Sequence, residues 1–259
     1  MEYYFSGIQS KQELTWLLEA GIRRILVDPV QWRQVVSKAS LPDDMQIALD
    51  SGAYRAFKKG QKHLMPLAEY ESIAMSYPFD FVVSPDVIGD WQRSYEQWQQ
   101  AIELIEAPSV PVWQWGAPMD ILKEMLDASA LVGVGGCQPW LHVNGANQTA
   151  KHVRKESVHR LTQICEQYPG RLHVFGLCWE GAIEALKGTL ASGDSSHYLC
   201  GARKGQVIFV NTRTAHLSKA PARVLTIAKT WSRPERCINN AKAIASFVRG
   251  PSLPPLAVA

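Results

Sequence analysis

Leu49-Asp50-Ser51-Gly52-Ala53-Tyr54 decides how this chain is read. An apolar run over residues 45–49 stops at Asp50, and a turn of small residues follows. Working outward, the layout recurs four times: a β-rich apolar run, then a polar group or glycine at its C-terminal edge. Phe81-Val82-Val83-Ser84-Pro85 ends at Asp86, Val110-Pro111-Val112-Trp113 ends at Gln114, Leu131-Val132-Gly133-Val134 ends at Gly135, and Ser192-Gly193 ends at Asp194. The intervals of 36, 28, 21 and 59 residues suit strand–helix units, the last spanning two of them. Polar groups at the C-terminal ends of successive parallel strands are how a (β/α)₈ TIM barrel assembles one active site.

The remaining elements follow from periodicity. Strands are expected over 3–8, 24–27, 45–49, 81–84, 110–113, 131–134, 172–175 and 191–194. Helices are expected over 11–20, 32–39, 66–77, 91–106, 118–128, 151–167 and 180–190, with a loop rich in Asn and Gly over 138–148. Past Asp194 the chain continues as Gly201-Ala202-Arg203-Lys204-Gly205 and an extended stretch over 206–211. Ser232-Arg233-Pro234-Glu235 has the capping-box form that opens a last helix, with Ile238, Ala241, Ile244, Ala245 and Val248 on one face. The expected organisation is α/β: a single-domain barrel over 1–205, a basic C-terminal segment over 206–250 packed on it, and a loose tail over 251–259.

The 259 residues match the roughly 250 typical of one such barrel. A hydrophobic content of 46% supports one large core. Met1-Glu2-Tyr3-Tyr4-Phe5 lacks the basic start and apolar stretch of a signal peptide. No apolar run reaches the ~18 residues of a membrane span. A soluble, cytoplasmic protein with no membrane partner is expected. The five cysteines, Cys137, Cys165, Cys178, Cys200 and Cys237, are odd in number and form no C-x-x-C pair, so reduced buried thiols are expected. No metal site is expected either, although Cys137 with His142, Cys178, and His197 with Cys200 remain pairs that could meet in space.

The net charge of +3 conceals an asymmetry. Residues 1–202 carry 17 Lys+Arg against 23 Asp+Glu, and residues 203–259 carry 10 against 1. A basic last quarter points to a polyanion, with Arg203 and Lys204 held nearest the mouth by chain connectivity.

An Asp before Ser-Gly can simply cap a turn, so one such residue carries no weight; five strand ends bearing suitable groups do. A carboxylate at Asp86 accepts two donors side by side. The Gln114 carboxamide and a backbone N–H beside Gly135 donate to a carbonyl. That set complements the N1–H, N2 amine and O6 edge of guanine, and Tyr54 offers a ring to stack on a base. Asp50 and Asp194 are left as a carboxylate pair of the kind that splits glycosidic bonds by double displacement. The inference to guanine is not unique, since other barrel hydrolases carry similar groups.

Asp50-Ser51-Gly52-Ala53-Tyr54 resembles the Asp-Ser-Gly-Gly-(Phe/Tyr) signature of tRNA-guanine transglycosylases. Asp86, Gln114 in Val112-Trp113-Gln114-Trp115-Gly116, and Gly133-Val134-Gly135 match that family's guanine-reading positions in order. His173-Val174-Phe175-Gly176-Leu177 resembles the strand ahead of its nucleophile, and Ser192-Gly193-Asp194-Ser195 falls at the nucleophile itself. The similarity covers about residues 45–206. Two features depart from the tRNA enzymes: the C-x-C-x-x-C…His zinc motif has no counterpart, and Ala53 replaces the second glycine. The shorter chain more resembles the DNA-modifying branch, the deoxypurine-in-DNA protein A type.

This resemblance implies a glycosyltransferase that exchanges guanine in nucleic acid, DNA before tRNA, for a 7-deazaguanine base such as preQ0. Asp194 would be the nucleophile and Asp50 the acid and base. Ser51, Tyr54, Asp86, Gln114 and Gly135 would bind the substrate base, Arg203 and Lys204 the nucleic acid. No cofactor is required, and partner proteins that open the duplex are expected. The alternatives are a tRNA-guanine transglycosylase-like enzyme, a glycosylase of free nucleosides, and a non-catalytic barrel that binds nucleic acid.

Overall fold

Tyr3, Phe5, Ile25, Val27, Ile47 and Leu49 point away from a barrel axis into a helix-covered core, whereas Tyr4, Leu26 and Ala48 point inward. The period of two of a β-strand thus divides the sequence into an inner and an outer set. A computed structural model of the protein describes residues 1–61, 63–104, 109–137, 148–211 and 213–249. It contains nine parallel strands: β1 (Glu2–Phe5), β2 (Arg24–Val27), β3 (Gln46–Leu49), β4 (Val82–Val83), β5 (Ser109–Val110), β6 (Val112–Gln114), β7 (Val132–Gly135), β8 (Leu172–Val174) and β9 (Ser192–Ser195). They pair in the order β5-β4-β3-β2-β1-β9-β8-β7-β6.

Only Pro111 separates the two ends of that order. Proline has no N–H to give a ladder, so β5 and β6 are two pieces of one strand, the fifth of eight positions. Val83 pairs with Val110 on one side, and Val112 with Gly133 on the other. The Pro111 carbonyl still accepts from Gly133 N–H at 2.8 Å. The sheet is a TIM barrel closed but for that one-residue interruption.

Around it run α1 (Lys11–Glu19), α2 (Pro29–Gln34), α3 (Ala53–Lys58), α4 (Leu67–Ala74), α5 (Trp91–Leu104), α6 (Met119–Ala128), α7 (Gln148–Gln167), α8 (Glu180–Leu186), α9 (His197–Arg203) and α10 (Arg233–Arg249). The second helix begins earlier than periodicity places it. Asp28 caps it in a reciprocal box with Gln31, Pro29 opens its first turn, and residues 36–38 form a separate 3₁₀ turn. Such a cap contributes about 1 kcal/mol. Residues 206–210 are extended as expected, but they pair antiparallel with Leu217–Pro221, making a hairpin of β10 (Gln206–Val210) and β11 (Leu217–Pro221).

The last helix is part of the barrel rather than an addition to it. Ser232 N–H donates to Glu235 Oε2 at 2.6 Å, the expected box. Cys237, Ala241, Ile244, Phe247 and Val248 are buried in the same core as Tyr3 and Phe5. α10 therefore occupies the eighth outer position, and α9 with the hairpin is inserted before it. The expected tail over 251–259 and the expected loop over 138–147 lie outside the described residues. No described helix is long and apolar enough to cross a membrane.

Candidate active site at the barrel mouth

The parity that sends Tyr4, Leu26 and Ala48 inward also sends inward the residues two positions past a strand's last core position. Asp50 follows Ala48 in this way, Gln114 follows Val112, and Asp194 follows Ser192. Below them Tyr4, Leu26, Ala48, Phe81, Val83, Val110 and Val112 fill the interior with Leu131 and Phe175 packed on them. The mouth is floored by hydrocarbon, which weakens hydration of every carboxylate above it.

Asp86 is the most completely bound. Its Oδ1 accepts from Ser51 Oγ at 2.6 Å and its Oδ2 from Gln114 Nε2 at 2.8 Å. Burial pushes its pKa up to about 6 against the opposing pull of those two bonds. Ser51 Oγ also accepts from Ala53 N–H at 3.1 Å, and Gln114 Oε1 accepts from Gly89 N–H at 3.3 Å. Gly135 leaves room for this network. A Cβ there would stand 2.7 Å from Val112 Cγ1 and 2.9 Å from Gln114 Nε2.

Asp50 is half-buried, and its carboxyl is held well above the usual range. Loss of hydration is the main cause, followed by the charges of Asp86, Asp194 and Asp28; a hydrogen bond from the Gly52 backbone opposes them. Its turn needs Gly52, whose φ of +81° is the left-handed region, and a Cβ there would meet Leu64 Cδ2 at 2.4 Å. Asp194, 6% exposed, accepts from Gly176 N–H at Oδ1, 2.9 Å away. The His173 Nε2 atom lies 3.6 Å from the same oxygen.

Four of the expected residues, Asp50, Asp86, Gln114 and Asp194, thus share the mouth, joined by Ser51 and by the space at Gly135. Tyr54 stands on α3, 57% exposed, three residues from the equally bare Phe57. Arg203 and Lys204 touch none of these groups among the described contacts. Arg203 is bound to Glu13 of α1 at 2.8 Å, an acid that Arg233 of α10 also engages. Lys204 is exposed. Lys219 of β11 reaches Glu180 at 3.2 Å, and His197 meets the same carboxylate at 3.3 Å.

Two residues escaped the sequence reading. Asp28 follows the second strand as Asp50 follows the third, and it takes Arg55 at 2.7 Å, tying α3 to the end of β2. The Asp-Pro pair was its signal. His173 lies wholly inside the barrel, and a histidine in an apolar strand gives no signal of its own. No described group of three or more His, Cys, Asp or Glu could hold a metal ion. None of the five cysteines is in a disulfide, and burial pushes the Cys137 and Cys178 thiols up to about 12. His142 lies outside the described residues.

A cavity of about 180 Å³ opens beside Asp86, lined by Ser51, His63, Leu64, Tyr70 and Gln97 among others. Gln114 and Asp194 do not line it, so it lies to one side of the carboxylate pair.

No family model matches the sequence, and no curated protein matches it. Among solved structures, the chain is similar to the YdjI aldolase from Escherichia coli K12 at 11% identity and a TM-score of 0.45, over 96% of this chain and 88% of that one. At that level the likeness carries no argument about this chain.

Proposed function

We propose that the protein exchanges guanine in nucleic acid, DNA before tRNA, for a 7-deazaguanine base through a covalent Asp194–glycosyl intermediate. The observation that carries this reading is the division of labour among the mouth carboxyls. Burial, and then the charges of Asp86, Asp194 and Asp28, raise the Asp50 carboxyl well above the usual range, which favours its acid form. Asp194, by contrast, has Oδ1 anchored by Gly176 N–H, and Oδ2 accepts no hydrogen bond among the described residues. An acid and a nucleophile across one sugar need that difference.

The steps balance as two displacements. Asp194 Oδ2 attacks C1′ as the glycosidic C–N bond breaks, and guanine leaves with the Asp50 proton. The incoming deazaguanine returns its ring proton to Asp50, attacks C1′, and releases Asp194. Two inversions retain the configuration at C1′. Asp86 and Gln114 keep free lone pairs and one free N–H for the edge of the base. Leu64, Met65, Pro66 and Pro85 give the adjoining cavity apolar walls for a planar ring. Tyr54 would stack on the base. The target nucleotide must leave the helix stack to reach the mouth. Activity should fade as pH rises through the raised pKa of Asp50, because the acid is then lost.

Incubation with labelled guanine and plasmid DNA, tRNA or free guanosine tests this. Label entering DNA supports the reading. Label in tRNA or guanosine alone moves the substrate, and no incorporation under any condition leaves a binding barrel.

A further inference from the structure

We propose that His173 is a positioning residue for the Asp194 carboxylate, holding Oδ1 so that Oδ2 faces the sugar carbon. The inference rests on the reading of Asp194 as nucleophile. His173 is 0% exposed, inside the barrel and directly beneath the mouth. Its ring plane is fixed by edge-on contacts with Tyr4, Phe81 and Phe175, at centroid distances of 6.1, 5.5 and 4.7 Å. Nδ1 meets Ser192 Oγ at 2.8 Å. Nε2 is buried and makes no hydrogen bond among the described residues. It faces Asp194 Oδ1 at 3.6 Å.

Chemistry selects the tautomer. A serine hydroxyl can donate or accept, so Nδ1 is satisfied either way. If Nδ1 carried the proton, the bare lone pair of Nε2 would face the lone pairs of a carboxylate, which is repulsive. If Ser192 donates to Nδ1, Nε2–H is a donor aimed at Oδ1. The second arrangement leaves one short gap rather than a clash, and catalytic contacts commonly sit long until substrate binds and then tighten. Ser192 and Asp194 both point inward from β9, two residues apart, so one strand sets the imidazole and the carboxylate it faces. With Gly176 N–H on Oδ1 and His173 Nε2–H closing onto it, Oδ1 is the held oxygen and Oδ2 carries the attack.

Three His173 variants, and imidazole spectra of the wild type and of Asp194→Asn, test this. His173→Phe keeps the ring packing and removes the donor. Turnover should fall between about 10- and 100-fold, the scale of misplacing a reacting group by an ångström, with KM for nucleic acid within about twofold. His173→Gln places an amide N–H where Nε2 stood and should recover most of the loss; His173→Asn, whose amide stops at the Nδ1 position, should not. The ¹⁵N spectrum of the wild-type imidazole should report the Nε2–H tautomer, and Asp194→Asn should move the Nε2 resonance. Wild-type turnover in a folded His173→Phe, no recovery in a folded His173→Gln, or an Nδ1–H spectrum overturns the proposal. If wild type exchanges no base, the base-exchange reading falls, and the spectrum still decides whether His173 addresses Asp194. It decides equally if the variants fail to fold.

Discussion

The two sides of the mouth are built on different principles. Across β3, β4 and β6, both oxygens of Asp86 are occupied, by Ser51 and by Gln114, and Gln114 is itself held by the Gly89 backbone. Across β8 and β9, Asp194 has one oxygen anchored and the other open among the described residues. A closed network holds a shape, and its buried members are costly to disturb. An open lone pair on an oriented carboxylate is free to form a bond. The contrast is what the proposed base exchange would use as a binding side and a reacting side in one ring of carboxyls.

The comparison breaks most directly at Asp194. Asp194→Asn keeps an oxygen for Gly176 but loses the nucleophile. We expect turnover to fall at least about 10³-fold, no adduct on a denaturing gel, and nucleic-acid binding within about twofold. Near-normal exchange would take Asp194 out of the reaction.

Asp86 sharpens the other side through pH. Its folded pKa of about 6 lies above the usual carboxylate value. The native state therefore holds the proton more tightly, and this stability is present below about pH 4 and lost as pH rises through 6. At 1.36 kcal/mol per unit the loss is about 3 kcal/mol. Asp86→Asn has no such slope, so in unfolding titrations its stability relative to wild type should improve by up to that amount from pH 4 to 7. A constant difference would show that Asp86 is better hydrated than its burial indicates.

Gly135→Ala tests the seam between the sides. The added methyl must displace Val112 or Gln114, which should cost about 1–3 kcal/mol and raise KM for the base about tenfold. Lost stability with unchanged KM would mean that Gln114 does not meet the base.

The smallest effect is at the rim. Lys204→Ala should lower the salt slope of nucleic-acid affinity by up to about one phosphate equivalent. An unchanged slope removes Lys204 from the interface.

The strand ends were legible because each coupled two independent signals, an apolar run and a polar terminus. That sufficed for Asp50, Asp86, Gln114 and Asp194. The hairpin was not legible: its turn before His216 passes through Ala215 at φ +56°, with no glycine to announce it. The Arg203–Glu13 pair spans 190 residues, and local spacing contains nothing about it. Nor does a lone histidine reveal that its ring will sit beneath a carboxylate. That depends on which neighbour shares its face, a property of the closed barrel.

One feature of that closure reaches into how the molecule forms. β1 is flanked by β2 and by β9, and its outer face is covered by α10. A chain emerging from its N-terminus can pair Phe5 with Ile25 early, but the opposite edge of β1 waits for Ser192–Ser195. An unpaired strand edge is a template for other chains, and contacts so distant in sequence slow folding. The first strand of the barrel to be made is thus the last to be enclosed, and β9, which carries Asp194, is the piece that encloses it. Whatever delays β9 leaves the mouth without Asp194 and leaves an adhesive edge exposed.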